Sequence, residues 1–170
     1  MRKNILWAVT VVTAVLIQTT WLDAIRLQGV LPDLTLLLVV FFAITDGEER
    51  AMFTGVLGGI YQDVAGEAVL GHHVLCNVVA AYAVGRLSRR LVLDHPVVKV
   101  GLVAAASLLH GVLYLSIQYV QSPSLPVLHR VLNSVVPGAF YNALVTPIVF
   151  GILAWLFARP QETLPQGSTG

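Results

Sequence analysis

Few side chains in this sequence could do chemistry, and those that could stand inside or beside apolar runs. Gln18, Asp33, Asp63, Asn77 and Asn142 interrupt or border stretches of Leu, Val, Ile and Ala. A polar group surrounded by apolar chain is costly unless it meets a partner or a cavity. The sharpest reading of the five is therefore one shared partner- or ligand-binding cluster. The bland reading puts the two carboxylates at a polar boundary and lets the amides bond between helices.

The two carboxylates differ in local context. In Leu31-Pro32-Asp33-Leu34, proline suits the first turn of a helix and a carboxylate there favours the exposed amides and the positive dipole end. Asp33 thus reads first as a helix start. Asp63 closes an apolar run, where the dipole disfavours an anion, so capping does not account for it and it is the better candidate for an interaction site. A shared proton between Asp33 and Asp63 would make an aspartic dyad, which boundary positions disfavour.

His72, His73 and Cys76 could share a helical face as metal ligands, but no further His or Cys supports the spacing. No metal and no cofactor are expected. His110 reads as a hydrogen-bonder between helices rather than a proton relay. No phosphate loop, nucleophile elbow or metalloprotease helix occurs, which favours a binding or scaffold role over an enzyme. Gly55, Gly58 and Gly59 offer close helix approach, with Gly55 and Gly59 in a small-xxx-small relation. Internal packing is the commoner use of such a pair; a dimer face, and with it a homo-oligomer, stays open.

The elements that must carry these residues follow from composition. Of 170 residues, 56% are hydrophobic and 11% charged, against roughly 25% charged in a soluble domain. Mean hydropathy is +0.80. Too little polar surface exists to cover a core in water, so the solvent is lipid. A net charge of +1 argues against a nucleic-acid partner. The lone Cys76 permits no internal disulfide.

Apolar runs bounded by charge, Pro or Gly predict six short spans: Ile5–Leu22, Val30–Thr45, Ala51–Asp63, Leu70–Gly85, Val97–Val120 and Val136–Phe157. The second to fourth are short for a hydrocarbon core of about 30 Å and require local thinning or burial among neighbours. A re-entrant hairpin of the second and third is the alternative, but its tip, Asp46, Glu48, Glu49 and Arg50, would cost roughly 2.5–3.5 kcal/mol per charge near the bilayer centre, which puts the tip in water. With the amino terminus inside, Arg2, Lys3, Arg50, Arg86, Arg89, Arg90, Lys99 and Arg159 are cytoplasmic, and only Arg26 and Arg130 are external. That bias predicts a multi-pass inner-membrane protein with both termini cytoplasmic. The five polar candidates then gather towards the external side.

Residues 1–158 form one polytopic membrane domain in this reading. Residues 159–170, rich in Pro, Gln, Gly, Ser and Thr, form a disordered cytoplasmic tail. The loop Leu87–Val98 lies along the cytoplasmic interface, and the apolar stretch before Val136 suits a short interfacial helix. The amino-terminal apolar run lacks a small-x-small cleavage site and is read as a retained span.

The order Gln18, Gly29-Val30-Leu31-Pro32-Asp33-Leu34, Gly55-Val56-Leu57-Gly58-Gly59-Ile60-Tyr61-Gln62-Asp63, Leu70-Gly71, then Asn142 and Pro147 resembles the rod shape-determining protein MreD family of bacteria. The resemblance covers about Ile5 to Phe157. It implies a non-enzymatic inner-membrane scaffold of the cell-elongation complex. It also implies MreC as direct partner, with MreB, RodA and a penicillin-binding transpeptidase in the wider assembly for peptidoglycan synthesis, beside the surrounding membrane lipids. The family is similar in architecture to the six-helix substrate-binding components of energy-coupling-factor transporters, a fold-level analogy. The alternative function is accordingly a small-molecule-binding membrane component of a transporter. An all-α bundle of about six short transmembrane helices is expected in either case.

Overall fold

The computed structural model describes residues 2–20, 31–65 and 70–157. Those residues contain helices and turns only: α1 (Arg2–Thr20), α2 (Leu34–Thr45), α3 (Glu48–Ala65), α4 (His72–Ser88), α5 (Pro96–Gln121), α6 (Val127–Arg130), a π-helical turn (Val131–Val135) and α7 (Val136–Leu156). The tail expected at 159–170, the charges Arg26 and Arg159, and the residues Gly29 and Val30 lie outside the described residues.

A short apolar helix, α2, takes the central place. The twelve residues of α2 span only about 18 Å at a rise of about 1.5 Å each. Their side chains are apolar nearly all round, and every residue from Thr35 to Ala43 is buried. A helix without a polar face must be covered on all sides. It is flanked by α1, α3, α4, α5 and α7, while α1 touches only α2 and α3. Protein, rather than lipid, surrounds the short helix, so its length need not match a bilayer.

Both ends of α2 are set by local chemistry. Asp33 is its N-cap, with Oδ1 accepting the Leu36 amide at 3.0 Å. Pro32 thus precedes the cap instead of opening the first turn, a correction of one position. At the other end Asp46 and Gly47 both donate their amides to the Phe42 carbonyl, and Gly47 takes φ +96°. This left-handed residue just beyond the helix is the common glycine stop. It turns the chain straight into α3 in a two-residue connection.

Glycines bring α3 onto its neighbours. A Cβ on Gly55 would lie 3.1 Å from the Asn77 carbonyl carbon, and one on Gly59 only 2.6 Å from Val74 Cα. Gly58 has Thr35 of α2 against it in the same way. The three glycines face α4 and α2 within the bundle, where small residues allow backbones to approach.

The helices alternate in direction, which sorts the chain ends into two groups. At the basic end Arg50 bonds Asn4 at 2.5 Å and pairs with Asp46 at 3.8 Å, while Glu48 faces Arg89 at 3.1 Å and Arg86 at 3.6 Å. Below these charges Phe41 meets Phe150, and Phe42 meets Phe157, edge to face at 5.4 and 5.3 Å. The opposite, polar end carries Gln18, Asp33 and Asn142.

The stretch before Val136 is not a separate interfacial helix. With α6 and the π turn it continues into α7 as one rod, Val127–Leu156. Pro137 has no N–H for the Asn133 carbonyl and its ring crowds that turn, which accounts for the widened helix just before it. This rod and α5 are long and apolar enough to cross a membrane; Lys3–Gln18 and α2 are shorter apolar helices. Along α7, Phe140, Leu144, Ile148, Ile152 and Trp155 are 59–79% exposed. An outer surface of that kind is compatible with lipid and hostile to water.

The glycine contacts predict opposite outcomes at two positions. Gly59→Ala places a methyl against backbone and is expected to destabilise by about 1–3 kcal/mol. Gly101 has nothing within 4 Å of a Cβ, and Gly101→Ala is expected to stabilise by about 0.5–1 kcal/mol. Thermal unfolding of the detergent-solubilised variants measures both, and an unchanged Tm for Gly59→Ala would contradict the close approach.

Candidate polar site and cavity

Three of the sequence candidates meet directly. The Asp33 amide donates to Asn142 Oδ1 at 2.7 Å, and Asp33 Oδ1 accepts from Gln18 Nε2 at 3.4 Å. Gln18 Oε1 in turn accepts from the Thr35 amide and hydroxyl at 3.1 and 3.2 Å. Asn77 joins through a residue that the sequence reading passed over: Gln62 donates to Asp33 Oδ1 at 3.0 Å and accepts from Asn77 Nδ2 at 2.9 Å. Ser107, also passed over, accepts from Asn142 Nδ2 at 3.0 Å. One network thus draws a side chain from each of α1, α2, α3, α4, α5 and α7.

The capping position explains why Asp33 is the centre. An N-cap carboxylate is held at the helix start by the Leu36 amide, so its Oδ1 is fixed where the ends of α1 and α3 arrive. The amides then fit because each has both a donor and an acceptor. Gln62 passes the connection on to Asn77, and Asn142 passes it from the Asp33 backbone to Ser107.

Asp63 stands apart from this network. It is 1% exposed, and its oxygens accept from the Gly71 amide at 2.7 Å, the His73 amide at 2.9 Å and His73 Nδ1 at 2.9 Å. Capping therefore does account for Asp63, though of the following helix rather than its own. Gly71 adopts φ +101° as the residue before α4, a conformation that costs a residue with a Cβ about 1–2 kcal/mol. The turn aims the free amides of α4 at the carboxylate, where an anion is favoured. Among the described residues no hydrogen bond joins Asp33 to Asp63, so the shared proton of a dyad has no geometry here.

The histidines also separate. His73 bonds Asp63, His72 faces Gln121 Nε2 at 2.9 Å, and Cys76 is buried. Among the described residues no three His, Cys, Asp or Glu side chains stand together as metal ligands. His110 differs from the expected hydrogen-bonder: its Nε2 is buried without a partner. Its ring instead stacks parallel to Tyr114, with centroids 6.5 Å apart.

Beside the network lies an open cavity of about 350 Å³ between the start of α2, α5 and the π turn. Asp33, Asn142, His110, Tyr114, Gln118 and Arg130 supply its polar lining. A larger open groove of about 920 Å³ at the basic end is lined by Lys3, Trp7, Asp46 and Arg50. Arg50 there holds Asn4, and Trp7 Nε1 donates to Thr54 Oγ1 at 2.8 Å. The cavity at the polar end differs in that its wall carries a buried nitrogen without a partner, His110 Nε2. Gln62 and Ser107 could have been found by the rule that selected the other five, since both are polar residues within apolar runs.

The two carboxylates should fail independently. Asp33→Ala leaves the Leu36 amide and the Gln18 and Gln62 side chains short of an acceptor, a loss of about 1–3 kcal/mol for a buried unsatisfied group. Hydrogen exchange by mass spectrometry should show faster exchange at residues 34–37 in Asp33→Ala, and at residues 71–75 in Asp63→Ala. Identical exchange maps for the two variants would contradict their separate roles.

No curated protein and no solved structure matches the chain. The family model described as rod shape-determining protein MreD matches residues 1–159. That range holds every described helix and the whole polar network, and the chain belongs to the rod shape-determining protein MreD family.

Proposed function

We propose that this member of a shape-determining family acts as a non-enzymatic inner-membrane scaffold that binds MreC and helps organise peptidoglycan synthesis in the elongation complex. MreB, RodA and a penicillin-binding transpeptidase are the wider assembly in this reading. The observation that carries it is the polar network, which ties six helices at one end of the bundle into a single arrangement. A surface offered to a partner is most effective when it is already ordered, because less entropy is lost on docking. The exposed apolar faces of α1, α3 and α7 supply surface for a partner's membrane span.

In the same reading the bundle crosses the membrane six times with both termini cytoplasmic. The clustering of Arg50, Arg86, Arg89 and Lys99 towards one end supports this orientation. It puts Asp33, Gln18 and Asn142 near the external face, with Gln62 and Asn77 in support and Asp63 below α4. A second reading, a small-molecule-binding component of a transporter similar to those of energy-coupling-factor systems, is favoured by the cavity of about 350 Å³. A small molecule retained through purification would support it.

Two experiments test the proposal. Capture of MreC from detergent by the full chain should drop severalfold in Asp33→Ala and Asn142→Ala proteins that still insert in the membrane, with loss of rod shape in cells. Unchanged capture and shape in both would overturn the site assignment. For orientation, a membrane-impermeant maleimide should label Ser122→Cys but not Asp94→Cys in cells with a permeabilised outer envelope, since the native Cys76 is buried. The reverse pattern would invert the topology.

A further inference from the structure

The cavity at the polar end holds chemistry that the bundle itself does not use. His110 Nε2 and Gln118 Oε1, on one face of α5, are both buried without a hydrogen-bond partner, although the Gln118 side chain also bonds Tyr114. Buried polar atoms are almost always satisfied, and an orphan on a cavity wall points to something that fills it. Arg130, exposed on α6, lines the same cavity, and among the described residues no ion pair joins it to a carboxylate.

These groups define a ligand. Gln118 Oε1 is an acceptor and needs a donor, while His110 Nε2 donates or accepts according to tautomer. A hydroxyl serves both, since it donates and accepts. Arg130 calls for an anion with several oxygens, for which a guanidinium is well shaped. Asp33, the acid on the wall, accepts three hydrogen bonds at Oδ1 and keeps its charge, so hydroxyls rather than the phosphate must face it. The chemistry required is a phosphate bearing hydroxyls.

The surroundings favour a lipid as its source. Leu31, Leu36, Leu115, Val135 and Ala139 form the apolar part of the wall. Leu132, Val136 and Phe140 leave 46–71% of their surface exposed along the same rod, a track on which acyl chains can lie. Gly111 lets the π turn close on α5, since a Cβ there would meet Val135 Cγ1 at 2.5 Å. We propose that this cavity binds a polyol phosphate headgroup of the phosphatidylglycerol kind, with the phosphate at Arg130 and the hydroxyls between His110 and Gln118. The inference concerns the purified chain alone and does not depend on the scaffold reading.

Native mass spectrometry of the full chain, purified in detergent and titrated with single lipids, tests it. Phosphatidylglycerol should be retained about tenfold over phosphatidylcholine and phosphatidylethanolamine, the effect of one or two neutral hydrogen bonds from its hydroxyls to His110 and Gln118, since all three lipids offer Arg130 the same phosphate. Arg130→Gln and Gln118→Leu should each reduce that retention severalfold with Tm near that of the parent. Displacement by free glycerol 3-phosphate would support headgroup recognition by itself. Retention that glycerol 3-phosphate does not disturb would support the lipid as the source. Equal retention of the three lipids, or wild-type retention in either variant, would overturn the proposal.

Discussion

The Asp33 carboxylate is the fixed point on which the polar end of this bundle depends. In lipid, apolar side chains gain little by leaving one membrane helix surface for another, so helices are specified by close packing and by polar bonds. Asp33 is held by its own helix through the Leu36 amide and then receives Gln18 and Gln62. Its backbone amide adds Asn142. A single capped helix start thereby sets the positions of α1, α3 and α7, and the amides extend the same order to α4 and α5.

The opposite end is built on different physics. There Arg50, Arg86 and Arg89 are arranged about Asn4, Asp46 and Glu48 around the chain turns, above edge-to-face phenylalanines. Such exposed pairs contribute little to stability. Packing does more, because the glycines of α3 let α4 and α2 approach to backbone contact. The bundle is thus closed by glycine contacts and a central apolar helix. Its polar end is given one arrangement by buried hydrogen bonds, with a cavity left where α5 meets the π turn.

Much of this was legible in the residues. Apolar runs bounded by charge predict the described helices within a few positions, because hydropathy is a property of composition over a window. Pro32-Asp33-Leu34 reads as a helix start because capping is local, and only the place of Pro32 shifts. Asp63 was harder. Its partners, Gly71 and His73, are eight and ten residues away across a turn, so its own helix gave the wrong dipole to judge it by. His110 looks like an interhelical hydrogen-bonder on sequence grounds, and only the cavity beside it shows an unpartnered nitrogen.

By itself the sequence determined the apolar character and the helices, since both rest on local composition over a window. The tertiary structure decided which polar groups meet. Asp33 and Asn142 lie 109 positions apart yet bond at 2.7 Å. A hydrogen bond tolerates only a few tenths of an ångström and a narrow range of angles. No spacing along the chain encodes that geometry; it exists only after glycine contacts and the short central helix have brought the ends together.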